Sequence, residues 1–580
     1  MYEYALRGGT IVDGSGGNPG VRGDIGIQGG KIAAVGVLDD DAEVTLDVTG
    51  QVVAPGFIDV HTHYDVQGFW DPALTPSSLH GVTTVFGGNC GFSVAPLTDT
   101  TREYLLEMLA RVEGMPLEAL RVGAPWTWRT TAEFLNALEG RLALNAGFLV
   151  GHSAMRRAVM GPDATDRKAR PHEIAAMQDL LRAGLSAGGM GFSSSWGVTH
   201  FDGNGDPVPS RQADRGELLA LAEVCRSFEG TSLEFLPLGG PDPFTPEVAD
   251  LMVSMSVAAG RPVNWNVMSV TEASLDSWRA KLAVGDEAAA RGGRVVALAI
   301  PETPPVRYTM RGGTSIDSLP GWSEVMALPL EEKLRQLSDP LVRRRLDEMS
   351  RLPSRMRHMA EWATKVVTET FTSETKQYEG RTVGDIAGAE GKEPLDALLD
   401  VVVADGLKTV FINQPRYDND ADWRVRCDVL RDPRVVVGGS DAGAHVDMLA
   451  TFNYPTRLLQ EAVRDRGLME MEEAIHLMTE VPAQLYGLRE RGRLERGFAA
   501  DVVVFDPATV ASERVRLVDD MPGGGARLFA GSVGVNHVFV NGSQILADGA
   551  SAGRTPGTVL RSGRDTRTPA LTSLSAPPLA

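Results

Sequence analysis

The sequence predicts an α/β protein, a (β/α)8 TIM-like barrel with a small β-sandwich built from both chain ends. Between about residues 55 and 484, short apolar runs alternate with helical patterns, which is typical of parallel strands joined by crossover helices. Nearer the ends, short alternating strands with glycine turns replace this pattern. We expect residues 1–54 and 485–550 to form one β domain, because neither piece is long enough to be stable alone.

The barrel strands are placed by β-branched apolar runs that end in small residues. The sequence contains nine candidate strands for an eight-stranded barrel, and the run at Val410 is the first that we exclude from the barrel. The candidate strands begin near Phe57, Val82, Gly147, Met190, Thr231, Pro262, Val295, Val410 and Val435.

Two further segments interrupt or follow this alternation. Residues from about 301 to 370, whose irregular start includes Pro304, predict an insertion over the barrel mouth, meaning the carboxyl ends of its strands. This segment would help to select substrate, over its own mouth or a neighbouring subunit's. Residues 551–580 lack periodicity and predict an extended arm or a disordered tail.

Composition and charge narrow the classes of partner. The chain has 580 residues and a formal net charge of −20, which disfavours binding to nucleic acid or to an anionic membrane. No apolar window is long enough to span a bilayer, and the start shows no leader pattern. Three cysteines argue against a disulfide framework. We therefore expect a cytoplasmic protein that acts on a small molecule, and a homo-oligomer.

The most informative motif places two imidazoles at the end of the first predicted strand. It reads Ala54-Pro55-Gly56-Phe57-Ile58-Asp59-Val60-His61-Thr62-His63. In a strand, residues two apart point to the same face, so His61 and His63 can reach one metal ion. Alone, such a pair is more often two polar residues that cap a surface strand than a metal site.

Two other strand ends carry candidate ligands. Cys90 follows the run that begins at Val82, and Asp441 follows the run that begins at Val435. A buried cysteine can be a simple hydrophobe and an aspartate can cap the next helix, but three such ends converging at one mouth favour chemistry over structure.

These motifs resemble the amidohydrolase superfamily and, within it, the D-aminoacylase (N-acyl-D-amino-acid deacylase) branch. The resembling runs keep their order over nearly the whole chain. Besides the two-histidine motif they are Leu6-Arg7-Gly8-Gly9-Thr10-Ile11-Val12-Asp13-Gly14, Gly88-Asn89-Cys90-Gly91, Gly439-Ser440-Asp441 and Gly497-Phe498-Ala499-Ala500-Asp501-Val502-Val503-Val504-Phe505-Asp506.

The resemblance implies a divalent metal, Zn²⁺ first, with one ion per chain favoured over two. The implied ligands are His61, His63, Cys90 and Asp441, and Asp441 would also take a proton from the metal-bound water. The chain departs from the branch at the fifth and sixth strands, where the expected histidines are absent. Glu234 on the fifth could add a ligand, whereas Asn266 on the sixth is better suited to holding substrate.

Other polar residues are candidates for binding substrate. His152 and Arg156 lie in a segment similar to one in the family, and the guanidinium could bind a carboxylate or belong to a surface arginine pair. Ser193, Glu234 and Asn266 complete the candidate set. His445 could contact substrate or Asp441, or be structural.

The sequence therefore predicts a metal-dependent hydrolase of an amide bond, in an N-acyl amino acid or a related small molecule. Hydrolysis or deamination of a cyclic amide is the alternative within enzymes. Because the fifth- and sixth-strand histidines are missing, a degenerate barrel that serves as a scaffold is the alternative of another class.

Overall fold

Parallel strands alternating with helices form the centre of the molecule in this computed structural model, which describes residues 1–238, 242–303, 305–311, 315–354, 356–413 and 419–571. The strands pair in parallel in two sets. The first set is Phe57–Asp59, Val82–Gly87 and Asn145–Phe148. The second is Val150–Gly151, Gly191–Ser195, Ser232–Leu236, Val263–Met268, Val295–Ala299 and Val435–Val437.

Most of these strands are buried along their length because helices cover the sheets, and this explains why they read as continuous apolar runs. None of the described helices is both long and apolar enough to cross a membrane. The α-helices are Arg102–Val112, Leu117–Gly123, Thr131–Leu138, His152–Met160, Pro171–Ser186, Arg215–Val224, Pro246–Ala259, Leu275–Ala290, Ser323–Met326, Leu330–Ser338, Pro340–Ser350, Val383–Glu390, Pro394–Ala404, Asp420–Leu430, Tyr454–Leu458, Met471–Met478 and Glu480–Leu485.

The first and last parallel strands lie side by side at their carboxyl ends. Thr62 and Ala442 form a parallel bridge, and the backbone amide of His63 donates to the carbonyl of Ala442 over 2.7 Å. The amide of Asp441 donates to the carbonyl of His61 over 3.0 Å. These bonds bring the predicted ligands of the first and last strands together.

Strands from the two ends of the chain pair in one nine-stranded sheet within the described residues. Val52–Pro55 is its junction, because it pairs with Tyr2–Ile11 on one side and with Val502–Phe505 on the other. The hydrogen bonds thus join the strands of both chain ends in one continuous ladder. Its other strands are Val21–Gln28, Lys31–Gly36, Ala42–Asp47, Val535–Val540, Ser543–Ala547 and Ala550–Ser551.

A second unit interrupts the parallel strands between Val295–Ala299 and Val435–Val437. It has its own hydrophobic cluster, which includes Trp322 and Phe411, and a small sheet of Arg307–Tyr308, Val410–Asn413 and Lys365–Glu369. Val410 therefore belongs to this inserted unit, and the unit continues beyond residue 370. Pro304, at the predicted start, lies outside the described residues. Two hairpin-like pairs lie elsewhere, Ala511–Ser512 with Ser532–Val533 and Arg516–Met521 with Gly525–Phe529.

The segment after residue 551 runs across the amino-terminal ends of the parallel strands. The amide of Leu560 donates to the carbonyl of Ala146 over 2.8 Å, and that of Ser562 donates to Gly188 over 3.0 Å. The Thr566 hydroxyl donates to the carbonyl of Gly230 over 2.8 Å. As far as residue 571 this part is an extended arm, and the rest of the predicted tail, 572–580, lies outside the described residues.

Candidate metal centre

His61 and His63 follow the first parallel strand, and both are buried, with 2% of each residue exposed. Asp59 fixes the backbone beneath them, since its carboxylate accepts hydrogen bonds from the amides of His61 and Ser440, at 3.4 and 3.3 Å. The Ser440 hydroxyl also donates to Asp59. Burial raises the pKa of Asp59 to about 6. This carboxyl thus ties the histidine segment to the segment that carries Asp441.

Cys90 lies in a tight turn after the second strand, with a positive φ of 55°. Two predicted site residues hold this turn. The Ser193 hydroxyl donates to the carbonyl of Gly88 and accepts from the amide of Gly91 at 3.1 Å, while Glu234 accepts from the amide of Cys90 at 2.8 Å. A side chain at Gly88 would place its Cβ 2.3 Å from the carbonyl oxygen of Leu149, so the close approach requires glycine.

Asp441 follows the last parallel strand and also has a positive φ, of 58°. Its Oδ1 lies 3.1 Å from His63 Nε2 and 3.6 Å from His61 Nε2. The Asp441 side chain is 25% exposed, whereas the two histidine side chains are at most 3% exposed. Asp441 is therefore the member of the cluster that an incoming substrate can reach most easily.

The ligand atoms of these residues come close enough together to hold a metal ion: one atom each of His61, His63 and Cys90 lies within 4.8 Å of the others, and the same holds for His63, Glu113 and Asp441. Besides the two Asp441 distances, Cys90 Sγ lies 3.6 Å from His61 Nε2. The buried histidine nitrogens His61 Nδ1, His63 Nδ1 and His63 Nε2 have no hydrogen-bond partner among the described residues. The residues present thus fit a divalent metal.

Asn266 and Glu234 border the cluster from the sixth and fifth strands. Asn266 Nδ2 lies 3.4 Å from both His61 Nε2 and Cys90 Sγ. Its Oδ1, like Glu234 Oε1, is buried without a hydrogen-bond partner in the part of the chain that the structure describes. The side chains at these two strands can therefore still accept hydrogen bonds from a ligand.

The acids of the cluster differ in their electrostatics: Cys90 and Glu234 favour the protonated form, whereas the pKa of Asp441, beside His63, lies below its usual range. Burial raises the pKa of the Cys90 thiol well above its usual range, with Glu234 adding to the shift, and burial raises the pKa of Glu234 to about 8. Burial also lowers the pKa of His61 to about 3, so this ring is neutral and able to bind a cation. A bound metal would supply the positive charge that a thiolate needs here.

Two neighbours of the cluster, Glu113 and His445, are not fully identified by the sequence. Glu113, 2% exposed, ends the helix Arg102–Val112, and its Oε1 lies 3.6 Å from His63 Nδ1. A glutamate at a helix end before a glycine looks like a surface residue, so no signal marked it. His445 Nε2 lies 3.6 Å from Asp441 Oδ2, which is one of the alternatives its position left open.

His152 and Arg156 lie in a different buried network. His152 Nε2 and Arg156 Nε both contact Glu217 Oε1 at 2.9 Å, and both residues are 0% exposed. The remaining Arg156 nitrogens donate to backbone carbonyls, including Pro209 at 3.1 Å and Arg167 at 2.7 Å. With its donors engaged and no exposed surface, this guanidinium is placed to stabilise the fold around the site, in contrast to the predicted contact with a substrate carboxylate.

Comparison with known proteins adds to this geometry. The sequence pattern of the Amidohydrolase family matches residues 44–340 and 356–545. The chain is 30% identical to D-aminoacylase of Alcaligenes xylosoxydans xylosoxydans, over 96% of this chain and 97% of the relative.

Two solved structures are similar over 97% of this chain and all of theirs. One is a D-aminoacylase studied for its binuclear metal center, with a TM-score of 0.64 and 26% identity. The other is N-acyl-D-glutamate deacylase from Bordetella bronchiseptica complexed with zinc and a phosphonate inhibitor, with a TM-score of 0.65 and 27% identity. These matches confirm the resemblance seen in the sequence: the chain belongs to the amidohydrolase family and is a hydrolase of carbon–nitrogen bonds other than peptide bonds.

Proposed function

We propose that the protein removes the acyl group from N-acyl-D-amino acids with a divalent metal, zinc first, held by His61, His63, Cys90 and Asp441. The observation that carries this proposal is the convergence of these side chains: Asp441 Oδ1 lies 3.1 Å from His63 Nε2 and 3.6 Å from His61 Nε2, and Cys90 Sγ lies 3.6 Å from His61 Nε2. The similarity to deacylases over nearly the whole chain supports the substrate class.

The chain's own groups divide the work of hydrolysis. The divalent ion that these residues would hold would supply a polarised scissile carbonyl and a lowered pKa for water. Asp441 directs Oδ1 to His63, which leaves Oδ2, on the side of His445, to accept a proton from the attacking water and to return it to the leaving nitrogen. Asn266 and Glu234, with their unpartnered buried oxygens, are placed to hold the amide and to keep it against the cluster.

The closed (β/α)8 barrel is part of the same proposal. The parallel strands occupy eight positions in order, with Asn145–Phe148 and Val150–Gly151 sharing one of them. Pairing between the first and last positions at Thr62 and Ala442 supports closure. In such a barrel, the carboxyl ends of the strands carry the active site, and the described ligands lie at those ends.

The test replaces Asp441 by asparagine, which keeps the shape and removes the proton acceptor. We expect turnover to fall by about two to four powers of ten, the usual range for losing a general acid–base group. The assay measures released amine for wild type and Asp441→Asn on a panel of N-acyl-D-amino acids, their L counterparts, and cyclic imides and ureides.

Each pattern of activity has a distinct meaning. Hydrolysis of the acyl-D-amino acids with a large loss in the variant supports the proposal. Activity confined to the cyclic substrates would replace it with the cyclic-amide reaction, and equal rates for wild type and variant would overturn the role of Asp441. A thermal melt of the two proteins serves as control, since asparagine keeps the shape of the Asp441 side chain, which is 25% exposed, and we expect stability to change little.

A further inference from the structure

Glu113 is a buried carboxylate whose position the hydrolytic reaction does not by itself explain. It ends the helix Arg102–Val112, where its amide donates to the carbonyl of Leu109 over 2.9 Å. The residue is 2% exposed, and its Oε1 has no hydrogen-bond partner within the described ranges. A buried carboxylate is costly unless it is paired, so its neighbours identify what it serves.

The nearest partner is the second nitrogen of His63. His63 Nε2 faces Asp441 Oδ1 at 3.1 Å, and Nδ1 on the other side of the ring lies 3.6 Å from Glu113 Oε1. Metal-binding histidines commonly donate the hydrogen of the non-ligating nitrogen to a carboxylate, which fixes the tautomer and the ring orientation. Glu113 occupies that place relative to His63.

The inserted unit holds the end of this helix. Arg111, two residues before Glu113, donates from Nε to Asp317 Oδ2 at 3.0 Å and from Nη1 to the carbonyl of Met326 at 2.8 Å. The side chains of Arg111 and Asp317 are 10% and 2% exposed. Asp317 and Met326 both belong to the inserted unit, so this ion pair joins the unit to the helix that delivers Glu113.

A second connection reaches Glu113 through the segment after Asp441. The amide of His445 donates to the carbonyl of Glu113, and the amide of Met448 donates to the carbonyl of His445 over 2.7 Å. The amide of Arg307, in the inserted unit, then donates to the carbonyl of Met448 over 2.9 Å. The inserted unit is therefore connected to Glu113 in two ways, through the side chain of Arg111 and through the segment after Asp441.

We propose that Glu113 is a positioning residue that orients His63 for metal binding, and that the inserted unit keeps Glu113 in place through the Arg111–Asp317 ion pair. This inference rests on the proposed function only in requiring a metal at His63, and it holds for any substrate. The inserted unit thereby acts on the assembly of the metal site, in addition to the substrate selection predicted from the sequence.

The first test measures zinc affinity by competition with a chromophoric chelator, on the full chain. We expect Glu113→Gln to weaken zinc binding by about 10- to 100-fold, the range seen when such orienting partners are removed, and Glu113→Asp to retain part of the affinity. The visible spectrum of the cobalt-substituted protein should change in Glu113→Gln. Glu103→Gln is the matched control, because Glu103 lies on the same helix in an exposed ion pair with Arg121.

The second test asks whether Asp317 acts through Glu113. Asp317→Asn should weaken zinc binding in the same direction, and the double variant Glu113→Gln/Asp317→Asn should bind no more weakly than Glu113→Gln, since residues acting through one another are not additive. Losses that add fully would overturn the link to the inserted unit.

Wild-type affinity and an unchanged cobalt spectrum in Glu113→Gln would overturn the orienting role, even if the enzyme proves to be a deacylase. Conversely, a chain that shows these zinc effects but hydrolyses none of the acyl amino acids would overturn the proposed substrate and leave the role of Glu113 standing. Because Asp317 lies outside the metal cluster, its variant still tests the proposal if Glu113→Gln fails to fold.

Discussion

Cys90 can reach the metal cluster only because neighbouring side chains stabilise a left-handed turn that cysteine rarely adopts. Ser193 bridges the two ends of that turn, and Glu234 accepts the amide hydrogen of Cys90 itself. Residues in such conformations persist when their surroundings over-determine them. At the scale of single residues, the polar groups of the fourth and fifth strands thus position Cys90, the proposed ligand, in addition to any contact that they make with substrate.

We expect Ser193→Ala to destabilise the protein by about 1–3 kcal/mol, because it leaves the buried amide of Gly91 without a partner. Zinc binding should weaken as well, since the turn that carries Cys90 loses its bridge. Urea unfolding and zinc competition measure the two effects. Ser186→Ala, at an exposed helix position, is the control. Unchanged stability together with unchanged zinc affinity would show that the turn holds without Ser193.

The metal itself gives the second prediction at this scale. Elemental analysis of freshly purified protein should find about one zinc per chain, in a site that keeps a position open to water. His61→Ala with His63→Ala should remove the metal and leave the circular dichroism spectrum of the folded chain. Protein that contains almost no divalent metal, and gains none when zinc is added, would contradict the proposed centre.

Which residues the sequence could identify follows from how each one is placed. The convergence of His61, His63 and Asp441 was predictable because strand periodicity and strand ends fix where such side chains point. Glu113 was not, because a helix end gives no sign of which element will pack against it. Arg156 is the opposite case. An arginine at that position suggested a role in binding an anion, and only the three-dimensional structure shows that its nitrogens already donate to other groups of the protein.

At the scale of elements, the arm after residue 551 crosses the amino-terminal ends of the parallel strands and packs against them. Val559 and Leu560 are 1% and 0% exposed, so this segment buries apolar side chains although it has almost no regular structure. The absence of periodicity predicted an arm or a tail, and periodicity carries no information on how such a segment packs. The end of the inserted unit is also difficult to predict from periodicity. The hydrophobic cluster of the unit includes Phe411, which lies far along the chain from Trp322.

Leu560→Ala should lower the free energy of unfolding by about 2–5 kcal/mol, the usual cost of truncating a fully buried leucine. Urea unfolding measures the loss, and Val533→Ala, at a position that is 44% exposed, provides the comparison. A change below about 0.5 kcal/mol, typical of surface substitutions, would mean that the arm adds nothing to the stability of the strands beneath it.

At the scale of the whole molecule, the two chain ends and the parallel strands are joined at one polar node. Asp501 accepts from Asn145 at 3.1 Å and from the amide of Asn541 at 2.8 Å, and Asn145 in turn accepts from the amide of Thr558 at 3.2 Å. The node thus links the third parallel strand to the terminal sheet and to the arm. The sequence indicated that both ends would pair, while the node depends on contacts between residues hundreds of positions apart.

A fragment of residues 55–484 should therefore be insoluble or only partly folded, because it exposes surface that the terminal sheet and the arm cover in the full chain. Near-ultraviolet circular dichroism and a thermal melt, each compared with the full chain, measure tertiary packing and cooperativity. A soluble fragment that melts in one cooperative step would show that the central strands are stable without the terminal sheet.

The pairing of Val52–Pro55 with Val502–Phe505 also sets an order of events during synthesis. At about 5–20 residues per second, a ribosome needs roughly 20 to 90 s to make the intervening stretch of about 450 residues. Throughout that time one edge of the early strands has no partner, and unpaired strand edges favour association with other chains. The nascent protein is therefore expected to depend on chaperones until Val502–Phe505 has been translated.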